Sequence, residues 1–140
     1  MPALARAAYG TGMPPTPGLV GRATLLVGDA DTAVAIGSGD VPVLSTPRVV
    51  ALAEQASVHA VAGQLAAGTT TVGSEVQLAH VAPTPVGAEV TADATLENVD
   101  GRRLVFRVSV NDGRGLVAAG RITRVMVERS RFIEKARNGD

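Results

Sequence analysis

From residue 70 onward the chain alternates apolar and polar residues with a period of two, four times in succession. In Thr70–His80, Val72, Ser74, Val76, Leu78 and His80 share one face, and Glu75 and Gln77 take the other. In Ala88–Val99, Val90, Ala92, Ala94 and Leu96 alternate with Glu89, Thr91, Asp93, Thr95 and Glu97. In Arg102–Val110, Leu104, Phe106, Val108 and Val110 alternate with Arg103, Arg107 and Ser109. The fourth run, Leu116 to Glu128, is apolar on both faces, so its parity is ambiguous. Period-two alternation is the signature of a half-buried strand, and one wet face with one dry face is the habit of antiparallel sheets.

Parity also constrains the hairpin between the second and third runs. A two-residue Asp100-Gly101 turn pairs Leu96 with Val105 and mixes the faces. A three-residue loop, Val99-Asp100-Gly101 with Gly101 left-handed, pairs Leu96 with Leu104 and Ala94 with Phe106. It sets Glu97 beside Arg103 and Asp93 beside Arg107 on the outer face. Carried onward with Val110 opposite Leu116, this register sets Gly120 against Phe106 and turns Ile122 and Arg124 inward.

Before the strands lies one long helix. Ser45 or Thr46 offers a capping hydroxyl, and Pro47 suits the first helical turn, where its missing N–H costs nothing. At 100° per residue, Val50, Glu54, Ser57, Val58, Val61 and Leu65 form one stripe, with Arg48, Gln55 and His59 opposite. Gly68 is the expected stop. Upstream, Arg22–Val27 and Thr32–Ile36 are short β-prone runs, and Gly37–Val43 is an irregular connection. Residues 1–21, with Pro14, Pro15 and Pro17, read as a poorly specified arm, loop or docked tail. The prediction is one α+β domain over residues 22–140, an antiparallel sheet curled around a central helix.

The 140 residues fit one domain. Thirteen basic residues balance 13 acidic ones, which argues against a grip on nucleic acid or an anionic membrane. There is no Cys or Trp, one Tyr and two Phe, so thiolate chemistry and base-stacking platforms are excluded. No run of 18 apolar residues occurs and MPALARAAYG is no secretory signal, so a soluble cytoplasmic protein is expected. Two histidines without close acidic partners predict no metal site.

Two residues break the packing pattern. Glu54 lies inside the apolar stripe, where an unpartnered carboxylate would cost several kcal/mol. It is either a structural ion-pair partner of an arginine such as Arg124 or a functional acid. His80 closes the inward face of its strand, as a core imidazole bonded to a carbonyl or as a reactive group. A carboxylate and an imidazole brought to one seam by helix and sheet can activate water. Thr46, eight residues before Glu54, is a helix cap, a functional hydroxyl, or both. His59 reads as solvated and Gly113-Arg114-Gly115 as a turn. The basic segment Arg121–Arg131 is a solubilised edge strand or a contact for an anionic cofactor tail.

Thr46, Glu54 and His80 at spacings of eight and 26, followed by Ala82-Pro83-Thr84-Pro85-Val86-Gly87, resemble the hotdog-fold acyl-CoA thioesterases. The similarity is nearest to the fluoroacetyl-CoA thioesterase type. It runs from Val43 to Phe132 and includes Val99-Asp100-Gly101-Arg102-Arg103-Leu104 and Arg107-Val108-Ser109. The resemblance implies a hotdog fold and a homodimer with active sites at the subunit interface. It implies Thr46, Glu54 and His80 as catalytic residues, and Gly73 and Arg124 as groups near the thioester or the CoA. The substrate is then an acyl-CoA, hydrolysed without a separate cofactor. That type has an aromatic-rich lid before the threonine, whereas Ile36–Pro42 here holds no ring, which implies a broader or different acyl preference. Two rival readings keep the fold: an enoyl- or hydroxyacyl-thioester hydratase-dehydratase, and a non-catalytic acyl-CoA-binding module.

Overall fold

The computed structural model describes residues 14–139. In chain order the elements are β1 (Val20–Leu26), a 3-10 turn (Asp29–Asp31), α1 (Ala33–Ile36), α2 (Thr46–Ala60), β2 (Thr69–His80), β3 (Glu89–Asp100), β4 (Arg103–Asp112), β5 (Gly115–Glu128) and α3 (Arg129–Asn138). The five strands make one antiparallel sheet in the order β1-β3-β4-β5-β2, with β1 and β2 at its edges. The sheet carries α2 on one face, the α+β arrangement that the alternation and the single long helix predict and the hotdog that the resemblance implies.

The face of α2 that meets the sheet is Val49, Leu52, Ala53, Ala56, Ser57 and Ala60. It is rotated from the expected stripe: Ser57 and Val61 are buried, but Val58 is 42% exposed and Glu54 lies at the margin. Small side chains decide the rotation. Three alanines let the helix backbone lie directly on β1, where a Cβ at Gly21 would collide with the Ala56 carbonyl and the Ala60 amide. The larger Val50 is left half-buried and Val58 exposed. The helix stops at Ala60, before Gly63 and well short of Gly68. Beneath it Phe106, Leu96, Leu104 and Ile122 are fully buried, and each such side chain contributes about 1.5–3 kcal/mol.

Three bulges correct the strand reading. Ser74 is an extra residue in β2 against β5, so Thr71 and Gly73 join Val76, Leu78 and His80 on the inner face, in place of Val72 and Ser74. Glu97 is an extra residue in β3, so Leu96 pairs with Phe106 and Ala94 with Val108, two positions from the expected register. The turn is then Gly101-Arg102, between paired Asp100 and Arg103, with Gly101 left-handed as expected (φ 58°). Inner and outer sets survive because a two-residue slip preserves parity. The outer charges re-pair: Glu97 meets Arg107 and Arg121, and Asp93 meets Arg22. Val117 bulges from β5, so Val110 pairs with Ala118, Val108 with Gly120 and Phe106 with Ile122. Val117 and Ala118 are both buried, which explains why this strand looked apolar on both faces.

Near the start of the chain, β1 begins at Val20, inside the expected arm, and the Gly18 amide donates to the Leu96 carbonyl. The rest of that arm, residues 1–13, lies outside the described residues. Thr32–Ile36, expected to be β-prone, is instead a helical turn. The Thr32 hydroxyl caps it by accepting from the Ala35 amide at 3.2 Å, and left-handed Gly37 ends it.

Candidate active site

Ser45 supplies the cap of α2, its hydroxyl accepting from the Arg48 amide at 3.2 Å. That frees the neighbouring hydroxyl. Thr46, in the first turn and not the cap, lies 2.8 Å from Nδ1 of His80. His80 Nε2 is buried and has no hydrogen-bond partner among the described residues. A buried polar atom without a partner is costly, and such orphans call for an explanation in function. The imidazole and the hydroxyl line a pocket of about 320 Å³, walled by Ser38 and Val43 before the helix and by Val81, Ala82 and Pro83 after β2. Larger depressions of about 650 and 500 Å³ lie around Gly113 and between β5 and α3, and neither touches Thr46, Glu54 or His80.

Glu54 belongs to a second cluster. Its Oε2 accepts from Nη1 of Arg124 at 2.8 Å. Arg124 also donates from Nε to the Thr71 hydroxyl and from Nη2 to the Thr71 carbonyl, both at 2.9 Å. The guanidinium is therefore committed on three sides, with its side chain 9% exposed, while that of Glu54 is 33% exposed. Burial pulls the Arg124 pKa down and the Glu54 carboxylate opposes this. An arginine stays charged regardless. The carboxylate that Arg124 meets in this chain is that of Glu54, so its geometry is that of a residue aiming the acid.

Gly73 permits that geometry. A Cβ there would collide with Glu54 Oε2, while the Arg124 guanidinium would lie in ordinary contact with it. Gly73→Ala is expected to swing the Glu54 carboxylate away from Arg124 at a cost of only about 0.5–1.5 kcal/mol, because the group that must move is the end of a flexible side chain, read as a slightly lower urea midpoint at unchanged slope.

The chain thus brings together Thr46 with His80, and Glu54 with Gly73 and Arg124. It does not join the two clusters within the single chain: eight helical residues separate Thr46 from Glu54, about 12 Å along the axis. Thr71 was missed from the sequence because the Ser74 bulge, which turns it inward, has no period-two signal. Among the described residues no three His, Asp or Glu side chains gather to hold a metal ion.

Residues 27–130 match the sequence pattern of the fluoroacetyl-CoA-specific thioesterases. The chain belongs to the fluoroacetyl-CoA-specific thioesterase family. It is 38% identical over 95 residues to the fluoroacetyl-CoA thioesterase of Streptantibioticus cattleyicolor, covering 68% of each chain. A solved structure of a fluoroacetyl-CoA thioesterase superposes with a TM-score of 0.84 at 30% identity, over 92% of this chain and 98% of that one. A thioesterase superfamily member from Thermus thermophilus gives 0.82 at 26% identity, over 89% and 93%. Thr46, Glu54, Gly73, His80 and Arg124 all fall inside the span that matches the family.

Proposed function

We propose that this member of the family hydrolyses small or medium acyl-CoA thioesters to the free acid and CoA, as a homodimer with two composite sites. Each site takes Thr46 and His80 from one protomer and Glu54, Gly73 and Arg124 from its partner. The observation that carries this reading is that each cluster has a member on β2, His80 in one and Gly73 in the other, and that β2 is a sheet edge with one side unpaired among the described residues. If two β2 strands pair antiparallel about a dyad at Gln77, Val76 lies opposite the partner subunit's Leu78, and with Ser74 again the extra residue His80 lies opposite the partner subunit's Gly73. Both residues point to the inner face, as directly opposed residues in an antiparallel pair must. Val50 and Val58, one turn on either side of Glu54, then have a dyad to pack against.

In such a site Glu54 takes a proton from water, or attacks the thioester carbon itself, expelling the CoA thiolate and leaving a mixed anhydride that water then cleaves to the acid and the regenerated carboxylate. When water attacks, its oxygen bonds to the carbonyl carbon, the C–S bond breaks, and the products are the acid and the CoA thiol. His80 Nε2 faces the carbonyl oxygen or the departing sulfur, with its ring angle fixed by Thr46 at Nδ1. Backbone amides at the start of α2 or beside Gly73 supply donors for the oxyanion.

No helix among the described residues is long and apolar enough to cross a membrane. A cytoplasmic location goes with the reading, since the phosphates of CoA keep the substrate from crossing a bilayer. The loop from Gly37 to Pro42 before the pocket carries no aromatic ring, which supports a broad acyl preference.

A panel of acetyl-, fluoroacetyl-, butyryl- and hexanoyl-CoA, with free thiol measured, tests the activity. Thiol release from several members is expected. Loss of enoyl absorbance from a crotonyl-CoA control without thiol release would replace hydrolysis with hydration, and calorimetric binding without any product would leave a binding module.

A further inference from the structure

Four residues past His80, a buried polar cluster ties the chain down. Thr84 is fully buried, and its hydroxyl donates to Asp112 Oδ2 at 3.2 Å. The Asp112 side chain is only 5% exposed and lies at the end of β4. Its Oδ1 accepts the Arg114 amide at 2.7 Å. The Arg114 guanidinium reaches back over the carboxylate, with Nη2 3.6 Å from Oδ2, and donates to the Pro83 carbonyl at 2.9 Å. The Arg114 amide holds the Asp112 carboxyl below its usual range against the opposing effect of burial, with help from the Thr84 hydroxyl and the Arg114 charge. The carboxylate is thus ionised at any pH suited to enzyme assay.

The same segment holds both halves of the Thr46–His80 pair. The Thr84 carbonyl accepts from the Leu44 amide at 2.9 Å, just before the Ser45 cap and Thr46, and Pro85 bridges to Val43. On the other side the Val81 and Ala82 amides donate to the Val117 carbonyl at 2.8 and 3.3 Å, fixing the exit from His80. Residues 81–85 are therefore a strap between the start of α2 and the end of β2, and Thr84 is where the strap is pinned.

We infer that Thr84, Asp112 and Arg114 are positioning residues that set the distance between the Thr46 hydroxyl and the His80 ring. Their catalytic consequence rests on the proposed thioesterase reading; their effect on the imidazole does not. A shift of about 1 Å in a catalytic group can cost up to about a hundredfold in rate, so loss of one pin among several bonds is expected to lower kcat about tenfold. Substrate contacts are untouched, so KM should stay within about twofold.

The test compares Thr84→Val with Thr84→Ser, which restores the hydroxyl, and with Arg114→Ala, a change at an exposed side chain that leaves a foldable chain even if Thr84→Val unfolds. Nitrogen-15 spectra of the imidazoles report the Thr46–His80 hydrogen bond directly. The chain has only two histidines, and a His59→Gln control assigns them. Displaced His80 resonances in Thr84→Val and, less so, in Arg114→Ala are expected, with lower kcat and recovery in Thr84→Ser. Unmoved His80 resonances in both variants would overturn the inference, whether or not the protein turns over any acyl-CoA. Displaced resonances with wild-type kcat on an active wild type would equally overturn it. An inactive wild type with displaced resonances would sustain the positioning and sink only the thioesterase reading.

Discussion

Glu54→Gln is expected to lower kcat for acyl-CoA hydrolysis by about 10²–10⁴-fold, the range that general-base removal covers. Gln keeps the size of the side chain and can still accept from Arg124 Nη1, so the 2.8 Å contact survives as a weaker hydrogen bond. What it loses is the capacity to take a proton or to form an acyl bond. KM should change little, because the group is asked to act in the transition state. His80→Ala should likewise be severely impaired, since it removes the orphaned Nε2 and the partner of Thr46. The pair of variants also decides how the site is assembled. Mixed in equal amounts and allowed to exchange subunits, two inactive variants form heterodimers in half of all dimers. Each heterodimer holds one intact composite site of two, so about a quarter of wild-type activity should return, as the two-fold symmetry dictates. No recovery after verified exchange would place acid and imidazole in one protomer and remove the composite site. Full activity of both single variants would remove the mechanism altogether.

How far the sequence could be read depended on what set each feature. Strand faces were legible because burial selects side chains at every second position, so Val90, Ala92, Ala94 and Leu96, then Leu104, Phe106, Val108 and Val110, all lie inside as read. Registers were not, because a bulge such as Glu97 is an insertion in one strand relative to another and leaves no mark on either alone. The bulge at Ser74 did more harm, since it exchanged Val72 for Thr71 and hid a ligand of Arg124.

The helix shows a different limit. A hydropathy stripe favours large aliphatic residues, so Val50, Val58 and Val61 drew the axis toward Glu54. The sheet instead selected the alanines, where the backbones approach most closely. Glu54 is thus marginal rather than central, and its side chain is partly wet while it holds Arg124. Capping was legible as a pair of candidates, Ser45 or Thr46. Only the fold assigns the cap to Ser45 and releases Thr46 to His80. In the sequence the strap at Thr84 shows only as part of a motif shared with the family, because its partner Asp112 is 28 residues away and becomes adjacent only through the β3–β4 hairpin.

Arg124→Met is expected to destabilise the chain by about 2–3 kcal/mol, below the ~3–5 kcal/mol that follows removal of one partner from a buried ion pair. The discount has a structural cause. The Glu54 side chain is 33% exposed and can recover hydration once its cation is gone, whereas a fully buried carboxylate could not. Thr71, itself buried, loses donors to both its hydroxyl and its carbonyl, which adds to the loss. Met fills much of the arginine's volume, so cavity formation contributes little. Arg124→Lys should fall short of wild type as well, because one ammonium cannot reproduce the fork that grips Glu54 and both Thr71 oxygens. Adding Glu54→Gln to Arg124→Met should return part of the stability, because the charge that the first change stranded is then absent. A urea-unfolding cycle over the four chains measures that coupling. Strict additivity would mean that Glu54 and Arg124 do not sense each other in solution, and the acid would then have no fixed aim at a substrate.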